Sequence, residues 1–330
     1  MRRSPGEIVA DTVVILNEHA GTIQDRDPAE IRATVERAFA ERGHSAEVIL
    51  AEGNAFLQAI DRAATSGPAT VVVGGGDGSI GHAIRKLVAR DGGAPRTLGV
   101  LPLGTMNLFA KSLGMPAELE AALSALAAAT PSRIDLASVN RRVFHTLAGL
   151  GYFAEVARGR AQFRGGGLPF GRFIAVARSS LRAFSRAGVL QLTLETEGGR
   201  REIEAYALLA SNNRLSPSGL ERPRLDEGLI EIHFAEGAAL ASRMQAGLDL
   251  LAGRWRDNPE IESLAVTRAT ITSHRPRLWL SVDGELSRMP TPLVLQSLPA
   301  ALSVLAPSIG GAARAMAAGP GGPAPEEVTS

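Results

Sequence analysis

Thr70-Val71-Val72-Val73-Gly74-Gly75-Gly76-Asp77-Gly78-Ser79-Ile80 is the stretch from which the fold of this chain can be read. Four β-branched residues make a short buried strand, three glycines stop it, and Ile80, Ile84, Leu87 and Val88 then mark one face of a helix. Such a turn suits a phosphate. Glycines let main-chain N–H groups approach an anion closely, and a helix N-terminus adds favourable partial charge. Asp77 is the awkward member, because a bare carboxylate repels phosphate unless a cation or a ribose hydroxyl lies between them.

A Gly-rich turn after a strand is often only a turn, so the surroundings must decide. Gly76, Gly78 and Gly81 satisfy G-x-G-x-x-G, the dinucleotide fingerprint. That fingerprint belongs after the first strand of a βαβ unit and is answered by an acid ending the next strand. Here two strand-helix units already precede the loop, and the next strand runs into Leu101-Pro102-Leu103. A P-loop is excluded, since no Lys follows the glycines. The second strand continues as Pro102-Leu103-Gly104-Thr105-Met106-Asn107 before a helix over residues 108–113, about 28 positions after the first loop, the length of one βαβ step. Adjacent parallel strands set both loops on one carboxyl edge, where open α/β sheets bind ligands. Thr105 and Asn107 are placed either to donate to phosphate or sugar oxygens or to cap the helix.

Working outward, the N-terminal third repeats strand and helix. Residues 12–16 form a strand; Asp27-Pro28-Ala29-Glu30 supplies an N-cap, a first-position proline and an acid ahead of Ile31, Val35, Ala38 and Phe39. Residues 48–50 are the next strand, and Asn54 is placed to cap a helix bearing Phe56, Leu57, Ile60 and Ala64. Alternation of this kind makes a doubly wound α/β domain, assigned to residues 8–131. From residue 132 the pattern turns to strands: 134–139 and 143–150 as a hairpin about Asn140-Arg141, then residues 190–194 and 203–209 alternating with period two across Gly198-Gly199. Further strands are expected at 229–234, 264–272, 277–282 and 293–298, interrupted by a helix carrying Leu240, Met244, Leu248 and Leu251. Residues 132–298 read as a mainly antiparallel β-sandwich domain, with the active site expected in the cleft between the two domains. The tail 308–330 reads as disordered.

Residues 158–188 differ from the rest. They carry seven arginines, Arg158 to Arg186, and no acid, interleaved with Phe163, Phe170, Phe173 and Phe184. A helix over 179–185 and a joint at residues 165–167 fit the pattern, and a basic, aromatic-bearing element suits an anionic membrane or a lipid headgroup. A solvated basic face whose apolar side enters the core remains the alternative.

The 330 residues suffice for two domains with cores of their own. A net charge of +1 gives no pull toward nucleic acid, and the absence of cysteine excludes disulfides and thiolate chemistry. No uninterrupted apolar run is long enough to span a bilayer, so a cytoplasmic protein touching the membrane only at its surface is expected.

Gly-Gly-Gly-Asp-Gly-Ser at 74–79 followed by Pro102 to Asn107, Arg133-Ile134-Asp135-Leu136, Leu225-Asp226-Glu227-Gly228-Leu229 and Val282-Asp283-Gly284-Glu285 resembles, in order and over residues 13–305, the bacterial diacylglycerol kinase catalytic-domain family, which includes sphingosine kinase-like lipid kinases. The resemblance implies a kinase transferring the ATP γ-phosphate to the hydroxyl of a diacylglycerol-like or sphingoid-like lipid, with Mg²⁺. It implies a nucleotide cradle of Asn17, Gly75, Gly76, Asp77, Gly78, Ser79, Ile80, Gly81 and Thr105, with Asp77 also reaching a catalytic metal or nucleotide hydroxyl. Asp283 matches the proton acceptor, although Asp283-Gly284 also reads as a plain hairpin turn. Glu227 matches a structural Mg²⁺ ligand, with the carbonyls of Arg224 and Leu229 as neighbours; the family usually has Asp at that place. The resemblance also implies that residues 299–307 return to the first domain, and it leaves a homodimer open. Three departures stand out: Gly81-His82 where the family has Asn-Glu, Leu108 where it commonly has Asp, and Asn17-Glu18-His19-Ala20-Gly21 without the usual Pro. NAD kinase, which shares the first loop, and a catalytically impaired nucleotide- or lipid-binding protein are the alternatives.

Overall fold

The computed structural model describes residues 10–88, 96–162, 188–217, 219–236, 256 and 258–307. The first part alternates β1 (Thr12–Asn17), α1 (Pro28–Ala40), β2 (Ala46–Ala51), α2 (Gly53–Ser66), β3 (Thr70–Gly75), α3 (Asp77–Val88), β4 (Thr97–Pro102), α4 (Leu108–Ser112) and α5 (Leu119–Ala128). β1 lies between β2 and β3, β4 follows β3, and all four are parallel. The order 2-1-3-4 reverses the winding between β1 and β3, and ligands bind outside the carboxyl ends of such sheets at that switch point. Val14, Ile15, Leu16, Val72 and Val73 are sealed from solvent, which is why these strands read as unbroken apolar runs. α1 packs on α5 and α2 on α3. Asp27 caps α1 by accepting the Ala29 amide at 2.8 Å, with Pro28 behind it. α2 begins two residues earlier than expected. Gly53, at φ +50°, turns the chain out of β2, so Asn54 lies inside the first turn and Glu52 occupies the cap position without a side-chain bond.

The second part comprises β5 (Thr130–Val139), β6 (Arg142–Phe144), β7 (Leu147–Gly151), α6 (Tyr152–Gln162), β8 (Leu190–Thr196), β9 (Gly199–Asn212), β10 (Ile230–Glu236), β11 (Ile261–Val266), β12 (Arg268–Ser273), β13 (Arg277–Val282), β14 (Glu285–Pro290) and β15 (Leu293–Ala306). β9 serves two sheets. Its first half pairs with β8, and its second half lies between β7 and β10. One layer thus runs β14-β13-β7-β9-β10-β11 and the other β9-β8-β12-β15-β5-β6. Between them Val139, Leu192, Leu194, Ile203, Leu208, Ile232, Phe234, Leu280 and Leu293 form a core separate from that of the α/β domain. The architecture is the α/β domain plus antiparallel β-sandwich that the sequence implies.

Three strands depart from expectation. Residues 264–272 break at Thr267, because β11 belongs to one layer and β12 to the other; the freed Thr267 carbonyl accepts the Ser297 amide at 2.9 Å. Residues 143–150 break at His145-Thr146, which turn toward the β13–β14 hairpin. β15 continues past residue 298, pairing along β5 and ending parallel to β4, so residues 303–304 extend the α/β sheet. Asn140-Arg141, at φ +47° and +68°, makes the tight hairpin turn. The helix at Leu240 to Leu251, residues 163–187 with the features expected there, and the tail from 308 lie outside the described residues.

Candidate active site

The two glycine loops touch. A Cβ on Gly104 would collide with the Cα of Gly76, one on Gly75 would lie 2.8 Å from Ser79 Oγ, and one on Gly74 would lie 2.5 Å from Leu16 Cδ2. Close approach of β1, β3 and β4 at their carboxyl ends therefore demands these glycines, whereas Gly78 faces open space. Asn17 ends β1 at the level of Gly75, at the switch point, and its Oδ1 accepts the His19 amide at 3.1 Å. Gly78 and Ser79 sit in the first turn of α3, whose leading N–H groups no residue of that helix can satisfy. The Ser79 and Ile80 amides both turn back to the Gly76 carbonyl, at 2.9 and 3.1 Å, and the Ile80 side chain is core. Thr105 is exposed on the rim. Asn107 stands at the cap position of α4 but does not cap. At φ +49° it closes its own loop, accepting the Gly104 amide at 2.9 Å and donating to the carbonyls of Pro102 at 3.1 Å and Gly104 at 2.7 Å. Asp77 reaches α4 instead, its Oδ1 accepting the Phe109 amide at 3.3 Å.

Asp283 is the turn residue that its Asp-Gly pair suggests. With Gly284 it forms the two-residue turn of the β13–β14 hairpin, at φ +49° and +81°, and its side chain is 4% exposed. Oδ1 accepts the Thr146 amide at 2.9 Å, the Thr146 hydroxyl at 2.6 Å and the Leu147 amide at 3.2 Å. Oδ2 accepts the His145 amide at 3.1 Å and faces His145 Nδ1 at 2.7 Å. Burial by itself would raise the Asp283 pKa, but His145 and the Thr146 donors outweigh it and hold the carboxyl well below the usual range. A carboxylate so occupied has no lone pair left over. His145, 1% exposed, donates from Nδ1, and its Nε2 has no hydrogen-bond partner among the described residues.

α3 meets this wall along one face. Asp77, Gly81 and Arg85 recur at four-residue spacing; Gly81 lies under the His145 ring, where a Cβ would come 3.1 Å from Cε1, and Arg85 approaches Glu285 at 3.6 Å. Arg142 binds Glu285 at 2.6 Å. The other face of α3 is tied to α2, with His82 at 2.7 Å and Lys86 at 2.8 Å from Asp61. Arg222, 1% exposed, bonds the His145 carbonyl and, at 3.2 Å, Ser112 Oγ, and lies over Phe109. Burial lowers its pKa to about 10 against the opposing pull of Asp283 and Asp77, so one sealed guanidinium lies in the field of both carboxylates. His145, Thr146 and Arg222 were not found from the sequence. His145 and Thr146 sit inside what reads as one strand, and Arg222-Pro223-Arg224 matches no motif.

The residues matched to a structural Mg²⁺ do not fit one. Glu227 Oε1 accepts from Arg214 Nη1 at 2.9 Å and Oε2 from the Arg214 amide at 2.9 Å, while the Leu229 carbonyl accepts the Asn213 amide at 3.1 Å. Arg224 pairs with Asp226 at 3.1 Å. No group of three metal-binding side chains occurs among the described residues.

Residues 11–139 match the model of the diacylglycerol kinase catalytic domain, and residues 148–306 that of the YegS C-terminal NAD kinase beta sandwich-like domain. A Chromohalobacter salexigens protein named "Probable lipid kinase YegS-like" is 26% identical over 287 residues, 85% of this chain and 88% of that one. A Pseudomonas aeruginosa protein of the same name is 32% identical over 211 residues, 62% of this chain and 66% of that one. The crystal structure of a diacylglycerol kinase from Bacillus anthracis superposes with a TM-score of 0.67 at 16% identity, covering 90% of this chain and 97% of that one, which is likeness of fold. On both halves, in the expected order, the chain belongs to the diacylglycerol kinase catalytic-domain family.

Proposed function

We propose that this chain is a lipid kinase that moves the γ-phosphoryl group of MgATP to a lipid hydroxyl. The observation that carries this reading is the packing of Gly76 on Gly104, which puts two phosphate-sized loops side by side at the β1/β3 switch point with Asp77 between them and α4. The nucleotide phosphates would rest on the Gly78 amide and the hydroxyls of Ser79 and Thr105, with Asn17 at the edge. Asp77, one oxygen of which accepts the Phe109 amide, would use the other to hold the Mg²⁺ of MgATP, an ion that would neutralise the charge developing on the phosphates.

In the reaction the lipid oxygen bonds to the γ-phosphorus, the bond from phosphorus to the β,γ-bridging oxygen breaks, ADP leaves, and the hydroxyl proton must be taken up. Asp283 has no free lone pair, so the acceptor is the Asp283–His145 pair, with His145 Nε2 as the atom able to hold the proton. Asp283 fixes the ring and stabilises the imidazolium, and Gly81 gives the ring its room. His145 is covered, so a lipid hydroxyl would reach it only if its surroundings opened, and the Arg85–Glu285 pair at 3.6 Å is the contact between α3 and the β13–β14 hairpin nearest at hand. The lipid is met at a membrane surface through the arginines of residues 158–186.

Incubation with radiolabelled ATP and a panel of diacylglycerol and sphingoid lipids, with NAD as a competing acceptor, tests the reading. Labelled lipid is expected, with Asp283→Asn and His145→Gln each losing about 10²–10⁴-fold in kcat. Labelled NADP, or no transfer to any acceptor, overturns it.

A further inference from the structure

We infer that the guanidinium of Arg214 has taken over the place of the structural divalent cation, so that residues 213–229 are held by an internal ion pair and the fold requires no Mg²⁺ there. The segment leaves β9, sets Leu225 in the core of the first domain and Arg222 against Ser112, and returns to β10. Asn213, at φ +67°, presents its amide to the Leu229 carbonyl at 3.1 Å and its Oδ1 to the Glu227 amide at 3.1 Å. Gly228 donates to Asp135 Oδ2 at 2.6 Å, and Asp135 donates its amide to the Leu225 carbonyl at 2.7 Å. Glu227, whose side chain is 13% exposed, spends one oxygen on the Arg214 amide and the other on the Arg214 guanidinium.

This arrangement opposes a bound ion in three ways. Mg²⁺ demands several oxygens at about 2.0–2.1 Å in octahedral geometry and gives up water reluctantly, yet the Glu227 carboxylate already meets two donors and the Asp135 carboxylate is spent on the Gly228 and Ala300 amides. The Glu227 charge is already matched by the Arg214 guanidinium, and a dication would be forced beside that cation. The extra methylene of Glu accounts for the change of residue: an Asp carboxylate would sit about 1.5 Å further back, one C–C bond, short of the pair of donors that Arg214 offers.

Thermal unfolding of the full chain without nucleotide, in excess EDTA and in excess MgCl₂ at matched ionic strength, decides the matter without reference to activity. The wild-type Tm is expected to be the same in both, or to shift by an amount that Glu227→Gln leaves intact, since such a shift arises elsewhere. Arg214→Gln should lower Tm by about 2–4 °C in EDTA. Glu227→Asp combined with Arg214→Gln should regain part of that loss in Mg²⁺ only. A wild-type Tm raised by Mg²⁺ through a shift that Glu227→Gln abolishes, or an Arg214→Gln variant as stable as wild type in EDTA, overturns the inference.

Discussion

Gly81 is where this chain leaves its family's loop, and its lack of a side chain is what lets His145 lie against α3. A Cβ there would stand 3.1 Å from His145 Cε1 and 3.3 Å from Arg85 Nη1, so both neighbours would have to give. Gly81→Asn is expected to cost about 1–3 kcal/mol by overpacking, set against a few tenths gained from helix propensity. In the His145→Ala background much of that cost should vanish. A double-mutant cycle by urea unfolding measures it: coupling of about 1 kcal/mol or more is expected, and additivity within ~0.5 kcal/mol would show that the two sites ignore each other. The neighbouring departure, His82, is likewise employed, gripping Asp61 on α2. None of this was legible from the sequence, because His145 lies 64 positions from Gly81 and nothing local marks either residue. Asp283 was legible as a turn and, by resemblance, as a site residue; its five donors were not, since four come from a strand break hidden in an apolar run.

At the scale of elements, β5 and β15 join the two halves. Each spans both domains, and they stay paired on either side of a register shift between Leu298 and Leu302. Asp135 closes that irregularity: 3% exposed, it accepts the amide of Ala300, a residue at φ +49°, at 2.8 Å and that of Gly228 at 2.6 Å. Asp135→Ala strands two amides, and a stability loss of about 2–5 kcal/mol in chemical denaturation is expected; a loss below ~1 kcal/mol would mean that water satisfies them. Strand existence was readable here from alternation and β-branching. Strand allegiance was not. Residues 264–272 look continuous because the apolar Leu264-Ala265-Val266 runs on into Ala269 and Ile271 with no turn residue between them, and only the need to cross between layers breaks them at Thr267. The parallel strands were easier, since burial on both faces leaves a run that no surface strand carries.

At the scale of the whole molecule, a net charge of +1 hides an uneven surface. Trp279, 43% exposed on β13, lies between Arg158 of α6 at 5.0 Å and Arg288, its cross-strand partner on β14, at 5.8 Å. α6 leads directly into the arginine- and phenylalanine-bearing residues 163–187, so an indole with two guanidinium groups stands at the root of the most basic stretch of the chain. In the proposed membrane contact a Trp so placed would partition to the headgroup level while the arginines met anionic lipid, each contributing about 1 kcal/mol near the surface and less as salt rises. No helix among the described residues is long and apolar enough to cross a membrane. Sedimentation with phosphatidylserine-containing vesicles should therefore show binding that weakens with ionic strength. Replacing Arg178, Arg182 and Arg186 together by Gln should reduce the partition coefficient by about 10–100-fold, and Trp279→Ala should reduce it further at a salt concentration where the charge term is screened. Binding that ignores the three arginines would assign that basic stretch to a solvated face instead, and the lipid would then have to reach the proposed site at Asp77 and His145 without help from residues 158–186.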